Sequence, residues 1–359
     1  MRLIQIAFVL ASALFAGLFA DSLGQLTSIK GKVTVQSGST SAMAKEKQDI
    51  QEGDFIVTDS SADAVLTLAT GSVIKIGPAT RMRISKNSVK NDEGSTFSVG
   101  LSSGSISSKV AKLKNSQDSF NIYTPTAVAG VRGTDFSVAA GLDGSSRVQV
   151  KEGSVDVSKG GEKANIKSKE SASADTSDTP VAKKDGEEDV SAWLAEREKA
   201  AKKDPEKTLK DMNKYMEKTS DKAKTAAEST EAKTNQDPGV TNKESYKANK
   251  KAALEQNNNL NFSKTISEGL LENAKALAAD SKDPKVKEAL SGVERISKSM
   301  DDANARIEAA LARLDARLDA AYKRIEESYN KAGDRINKSM NKDDRMKNMD
   351  DKFKDKEKK

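Results

Sequence analysis

Residues 124–138 read Thr-Pro-Thr-Ala-Val-Ala-Gly-Val-Arg-Gly-Thr-Asp-Phe-Ser-Val. Pro125 fixes its own φ and pushes Thr124 towards an extended backbone. Gly130 and Gly133 bracket Val131-Arg132, the pattern of a tight turn that needs positive φ at a glycine. Thr134 to Val138 then alternates, with Phe136 and Val138 on one face. The stretch is a strand, a turn and a strand. Arg132 is either a solvated or ion-paired turn residue or a buried anchor or ligand contact. No Gly-Lys-Ser/Thr follows, and no strand-to-helix context, so this is not a phosphate loop.

On both sides of this stretch one phrase recurs: a glycine, a small or acidic residue, then alternating apolar residues. It starts at Gly31, Gly53, Gly71, Gly94, Gly104, Gly133 and Gly153. Several spacings lie near about 20 residues, which suggests stacked coils or meandering hairpins. A unit of that size cannot enclose its own apolar side, so neighbours must stack to make a core. The inward positions predicted by alternation are Ile56, Leu66, Leu68, Ile74, Ile76, Phe97, Val99, Ile106, Phe136, Val138, Val148, Val150, Val155 and Val157.

With these phrases in place, the region from Leu26 to Val157 resembles the FecR-type periplasmic domain. The resemblance rests on Thr124-Pro125, the alanine-rich run, and Val131-Arg132-Gly133-Thr134 with Phe136. It also rests on Gly31-Lys32-Val33, Gly53-Asp54 with its following strand, Ala64 to Leu68, Gly71 to Ile76 and Gly153 to Val157. It implies an all-β domain of short solenoid-like form, with an ordinary β-sandwich as the alternative. The signature residues Gly53, Asp54, Gly71, Thr124, Pro125, Val131, Arg132, Gly133, Thr134, Phe136 and Gly153 are then structural or partner-binding. Family members include regulators that sense occupancy of an outer-membrane transporter and control a sigma factor across the inner membrane. Such regulators place a cytoplasmic arm before a membrane helix. Here the apolar run starts at Leu3, so sigma-factor control by this chain alone is not expected.

The first residues point to export. Arg2 precedes an apolar run from Leu3 to Ala20 broken only by Gln5 and Ser12. That is the form of a secretory signal peptide over 1–20, cleaved after Ala20 or after Ser22. An uncleaved anchor is the alternative, since about 18 apolar residues just span a bilayer. Membrane contact is expected only through this segment if it stays uncleaved. No cysteine follows, which excludes a lipoprotein anchor. The expected location is periplasmic or outer-envelope associated.

The chain has neither cysteine nor histidine. Disulfides, thiolate and imidazole metal sites, and Ser-His or Cys-His nucleophiles drop out together. No catalytic residue, cofactor or metal is predicted. Asp54, Asp63 and Asp135 are the acids of the β region that a paired-carboxylate mechanism would draw on. Lys and Arg number 60 against 54 Asp and Glu, a formal charge of +6 with both signs interspersed. Nucleic-acid binding needs a concentrated basic face with stacking aromatics, and none is predicted.

The β domain is expected over 22–158, followed by a disordered linker at 159–189 that holds almost nothing large and apolar. The composition then turns to Ala, Lys, Glu and Asp. A helical, partly disordered region is expected over 190–280, with thin stripes at Trp193, Leu194, Leu209, Met212, Met216 and at Leu260, Ile266, Leu270, Ala274, Leu277. Asp283-Pro284 is an N-cap and first helical residue. Beyond it Met300, Ala303, Ile307; Leu311, Leu314, Leu318; Tyr322, Ile325, Tyr329; Gly333, Ile336, Met340 fall in steps of three, four and four. That 11-residue repeat keeps its stripe in line along a straight helix. The helix predicted over 284–340 would reach about 85 Å at ~1.5 Å per residue. A stripe of this kind packs on a partner, either the helices at 190–280 or a second copy of the chain. Gly333 either permits close approach or ends the helix. A charged flexible tail is expected over 341–359. The fold class is therefore β and α in separate regions, an all-β domain followed by a long helical, coiled-coil-like tail. The expected partner of the β domain is an envelope protein or glycan. Homo-oligomerisation would use Ile307, Leu311, Leu314, Leu318, Tyr322, Ile325 and Tyr329.

Overall fold

The computed structural model describes residues 22–88, 95–111, 119–187 and 189–356. The apolar run at 3–20 and Gly94, the first residue of its phrase, lie outside them. Among the described residues the chain forms seventeen strands and then four helices. The strands are β1 (Gly24–Lys30), β2 (Val33–Ser37), β3 (Thr40–Met43), β4 (Asp49–Ile50), β5 (Phe55–Thr58), β6 (Asp63–Leu68), β7 (Val73–Ile76), β8 (Arg81–Ser88) and β9 (Ser95–Lys109). There follow β10 (Ser119–Tyr123), β11 (Val128–Val131), β12 (Asp135–Ala140), β13 (Ser146–Glu152), β14 (Ser154–Lys159), β15 (Glu162–Lys167), β16 (Glu170–Ala174) and β17 (Ala182–Asp185).

Hydrogen bonding sorts them into two ladders that share one strand. The first runs β4-β1-β6-β7-β9-β12-β13-β16-β17. The second runs β3-β2-β5-β8-β9-β10-β11-β14-β15. Neither closes on itself. All pairs are antiparallel except β9 with β10. The long β9 serves both ladders by changing layer midway. Thr96 to Ser103 pairs within the second ladder and Gly104 to Lys109 within the first. Gly104 makes the switch at φ +90°, where a Cβ would stand 2.3 Å from Thr80 Oγ1 and 2.5 Å from Thr80 Cα. No side chain fits that corner.

One apolar core lies between the ladders. Leu66, Ile74, Ile106, Phe136 and Val148 enter it from the first, and Ile56, Met82, Val99, Phe120 and Val155 from the second. All fourteen inward positions read from alternation are buried. The period of two did this: one face of each strand must leave water, and a one-residue slip would expose them all.

The segment expected to be a linker is different. It carries β15, β16 and β17, and Ile166, Ala172 and Ala174 join the same core. Apart from Ile166 its inward positions are small, so burial requires little apolar composition. Backbone pairing with β13 and β14 supplies the order instead.

The helices are α1 (Val190–Lys203), α2 (Pro205–Thr234), α3 (Lys243–Ala278) and α4 (Pro284–Lys356). Asp189 caps α1 by accepting from the Ser191 and Ala192 amides. Asp204 accepts from the Lys207 amide ahead of α2, and Asp283 from the Lys285 amide ahead of α4. Each proline at a first helical position lacks only a donor that would go unused. Gly333 sits inside α4 and does not end it. The helix also runs past Met340 through Lys356, into the segment expected to be a flexible tail; residues 357–359 lie outside the described ones.

The chain divides into two compact units. One holds the described residues through Lys222 together with Asn261–Asp302. In it the strands and the adjoining helical segments share one body, although the sequence sets them apart. Leu209, Met212, Met216, Ile266, Leu270 and Val293 build a second apolar cluster there, joined by Leu142 from the loop after β12. The other unit holds Ala223–Leu260 and Ala303–Lys359, with a small cluster of Ala227, Leu260, Ile307 and Leu311. Among the described residues no helix is long and apolar enough to cross a membrane.

Candidate functional site

The stretch at 124–138 forms a corner held by hydroxyls. Thr124 is buried, and its Oγ1 accepts from the Ala127 amide at 3.0 Å and donates to the Ala127 carbonyl at 2.9 Å. Ser146 Oγ donates to Thr124 Oγ1 at 2.6 Å and lies 2.7 Å from Thr126 Oγ1. Thr126 Oγ1 also reaches the Gly144 carbonyl at 3.0 Å. Pro125 closes the corner where its missing N–H costs nothing. Just upstream, burial pushes the Tyr123 phenol up to about 12, with hydrogen bonds to Ser98 and Asn121 opposing it.

Val131 is buried between Phe120 and Val155 in the ladder, and Phe136 is fully enclosed. Between them the chain turns at Arg132-Gly133, with Gly133 at φ +65°. Thr134 is buried beneath the turn and donates to the Ser154 carbonyl at 3.0 Å. Arg132 is exposed at the tip, which sets aside the buried-anchor reading. Gly53 and Asp54 open β5 in the second ladder. The Asp54 carboxylate accepts from Ser37 Oγ at 2.5 Å and the Gln51 amide at 2.8 Å, so it serves its turn. Asp63 faces Lys30 and Asp135 faces Lys109 in register, at separate places in the first ladder.

The structure brings Gly71, Gly133 and Gly153 into one row of turns at an end of the first ladder. Ser72 Oγ accepts from the Ala111 amide at 3.1 Å, and the Val110 amide donates to the Thr134 carbonyl at 3.0 Å. The Gly153 amide donates to Ser168 Oγ at 3.0 Å, and the Lys169 amide to the Val150 carbonyl at 2.8 Å. Exposed along the row are Lys109, Arg132, Lys151 and Lys169, with Glu152 as an exposed acid and Asp135 half-buried. Lys169, at φ +65°, has the backbone of a turn glycine and was not foreseen.

Elsewhere in this unit, helix α3 contributes polar contacts to the strands that no sequence pattern announced. Asn273 Nδ2 donates to the Ser102 and Gly141 carbonyls, each at 3.3 Å. Arg83 pairs with Glu268 at 2.9 Å. Burial raises the Glu268 carboxyl above its ordinary range, more than the Arg83 guanidinium lowers it. Asn273 lies among Ile266, Leu270 and Ala274, and a buried amide on an apolar stripe is its only sequence trace. An open cleft of about 680 Å3 lies beside α1 and α2. Two ion pairs line it, Arg197 on Asp143 at 3.4 Å and Lys218 on Asp178 at 2.5 Å.

In the other unit the expected stripe divides in two. Ile307, Leu311 and Leu318 are buried, while Leu314, Tyr322 and Ile325 are half-buried. Tyr246 stacks on Tyr322 with ring centroids 4.4 Å apart. Lys250, whose side chain is buried, pairs with Asp315 and, at 2.7 Å, with Asp319. Burial opposes the ammonium, yet those hydrogen bonds outweigh it and hold its pKa above the ordinary lysine value. Tyr329 and Ile336 stand 68% and 60% exposed.

Comparison with known proteins finds the FecR protein family over residues 54–156. Solved structures with likeness include two of a candidate anti-sigma factor from Parabacteroides distasonis ATCC 8503, at 1.65 and 2.50 Å. Each is 22% identical over 39% of this chain, with a TM-score of 0.33. This chain spans 64% of the length of the first of them and 63% of the second. A third, a cell surface anchoring domain, is 25% identical over 18% of this chain and 84% of its own, with a TM-score of 0.17. Among curated proteins none matches.

Proposed function

With a FecR domain at residues 54–156 as the premise, we propose that this protein is an exported recognition module of the cell envelope. In this reading the apolar run at 3–20 directs export. The β body then binds an envelope protein or glycan that presents acidic groups. The row of turns supports this above all: the buried Thr134 and Gly133 turn Arg132 outward at the same ladder end as the exposed Lys109, Lys151 and Lys169. Cations gathered at one end of a rigid ladder steer an approaching carboxylate or anionic sugar by charge complementarity. The test immobilises the full mature chain against envelope extracts and anionic cell-wall glycan. A specific partner is expected whose binding falls at least about tenfold with Arg132→Glu and Lys169→Glu combined. Recovery of nothing, or capture indifferent to both charges, rejects the reading.

A second reading, a structural spacer that oligomerises through α4, is favoured by Tyr329 and Ile336. Large apolar groups in line on a helix exclude water best against another helix. Sedimentation of the full chain, with and without Tyr329→Glu and Ile336→Glu, distinguishes an assembly held by this face from a monomer.

A further inference from the structure

Four strands end the two ladders, and three of them are guarded. β4 is two residues long, and its Asp49 carboxylate takes hydrogen bonds from Ser22 and Gln25. β15 carries Glu162, Lys163 and Lys167, and β17 carries Lys183, Lys184 and Asp185. Short length and charge are the usual defences of an open edge. β3 has neither charge nor proline in Thr40-Ser41-Ala42-Met43, and all four residues are exposed. Met43 is 55% exposed, and it is the one large apolar side chain so exposed among the described residues of the β body.

The register shows which backbone groups this edge offers. The Ala44 amide donates to the Val33 carbonyl at 2.8 Å, and Ala42 stands opposite Val35. In an antiparallel pair alternate residues turn their N–H and C=O towards the neighbour. Ala44, Ala42 and Thr40 therefore face β2, while Ser41 and Met43 face away. The next outward amide, Lys45, is already taken by Gln48 Oε1 at 3.0 Å. Two consecutive outward residues remain, with an apolar side chain on one of them.

We propose that β3 is a strand-addition edge whose occupant is β3 of a second copy, paired antiparallel about a two-fold axis at Ala42. That register places Ser41 opposite Met43 of the mate and satisfies all four outward groups on each copy. The two Met43 side chains become diagonal neighbours on one face, within reach of each other. No charged residue lies within either four-residue strand, so no like charges oppose. The contact continues the second ladder across the axis as one sheet. It is independent of the row of turns and of the α4 stripe.

The absence of native cysteine makes the register directly readable. At the axis Ala42 and its mate form a non-hydrogen-bonded pair with Cα atoms about 4.5 Å apart, inside the disulfide range. Thr40 and its mate would lie about 13 Å apart, beyond it. Full-length Ala42→Cys and Thr40→Cys, each shown folded by circular dichroism, are oxidised gently at tens of micromolar. Ala42→Cys is expected to give a covalent dimer at least about tenfold faster than Thr40→Cys, and adding Met43→Lys to slow it about tenfold. Equal cross-linking at both positions would mean random collision and overturn the proposal. So would no cross-linking at either, which would leave the edge to a strand of a different protein.

Discussion

In the β body, Phe136 is 1% exposed and has apolar neighbours from both ladders around it. Along α4, Leu318 is fully enclosed, yet Ile336, on the same helical stripe, is 60% exposed. The β body therefore holds its apolar residues from two layers at once. The second unit holds its own only as far as α2 and α3 provide a partner. An equal change of side chain should cost very different amounts in the two places, and the contrast measures how far each region's stability is already satisfied within one chain.

The largest expected effect is Phe136→Ala. Removing a fully enclosed phenylalanine costs about 3–5 kcal/mol, through lost transfer energy and the cavity left behind. Ile336→Ala should change monomer stability by less than about 0.5 kcal/mol. Urea unfolding followed at Trp193, the chain's only tryptophan, reads the first unit, and the loss of helical circular dichroism reads the second. Equal costs at the two positions would break the comparison. Next is Gly104→Ala. A Cβ 2.3 Å from Thr80 Oγ1 and 2.5 Å from Thr80 Cα meets backbone that cannot turn aside. The φ of +90° adds strain, and the loss should be about 2–3 kcal/mol by the same measurement.

These two residues also mark what could be read before any fold was known. Phe136 was legible because alternation has one solution when a face must be buried. Gly104 was legible as a turn glycine, but its role as the point where β9 changes ladder was not, because layer exchange depends on Thr80, far away in sequence. The strands at 162–185 were hidden for a related reason. Small inward residues such as Ala172 and Ala174 satisfy a core position without raising hydropathy. Of the signature residues, Arg132 kept an open role in the sequence, since a turn arginine can point either way. Its exposure was settled by Thr134, which turns inward to bond the Ser154 carbonyl. The unguarded β3 edge had no sequence trace, because an edge exists only relative to the other ladder ends.

A smaller effect separates the two units by pH. Glu268 in the first unit has its carboxyl raised by burial above the ordinary 4.5. The native state then binds that proton more tightly than the unfolded chain, so its contribution falls as pH rises through the window above 4.5. Glu268→Gln should flatten the acid-side pH dependence of the first unit. Lys250 in the second unit has its pKa raised above 10.5. Its contribution is fully present below that value and is lost as pH rises through the native pKa. Lys250→Met should flatten the alkaline limb instead. Loss of both limbs on either single substitution would show that the groups are not local to their units.

The smallest effect has the opposite sign. Gly333 lies inside α4, and a Cβ built there meets nothing within 4 Å. Alanine at an open helix interior gains about 0.5–1 kcal/mol over glycine through reduced unfolded-state entropy. Gly333→Ala should therefore raise helix content and the melting temperature of the second unit, where the same change at Gly104 destabilises the first. The same variant also sharpens the spacer reading. A second copy that used the stripe between Tyr329 and Ile336 at close range would need the missing Cβ. Gly333→Ala would then strengthen the helix and weaken association together. If the helix strengthens while sedimentation is unchanged, no helix approaches closely at Gly333, and the glycine is a tolerated weak point of α4.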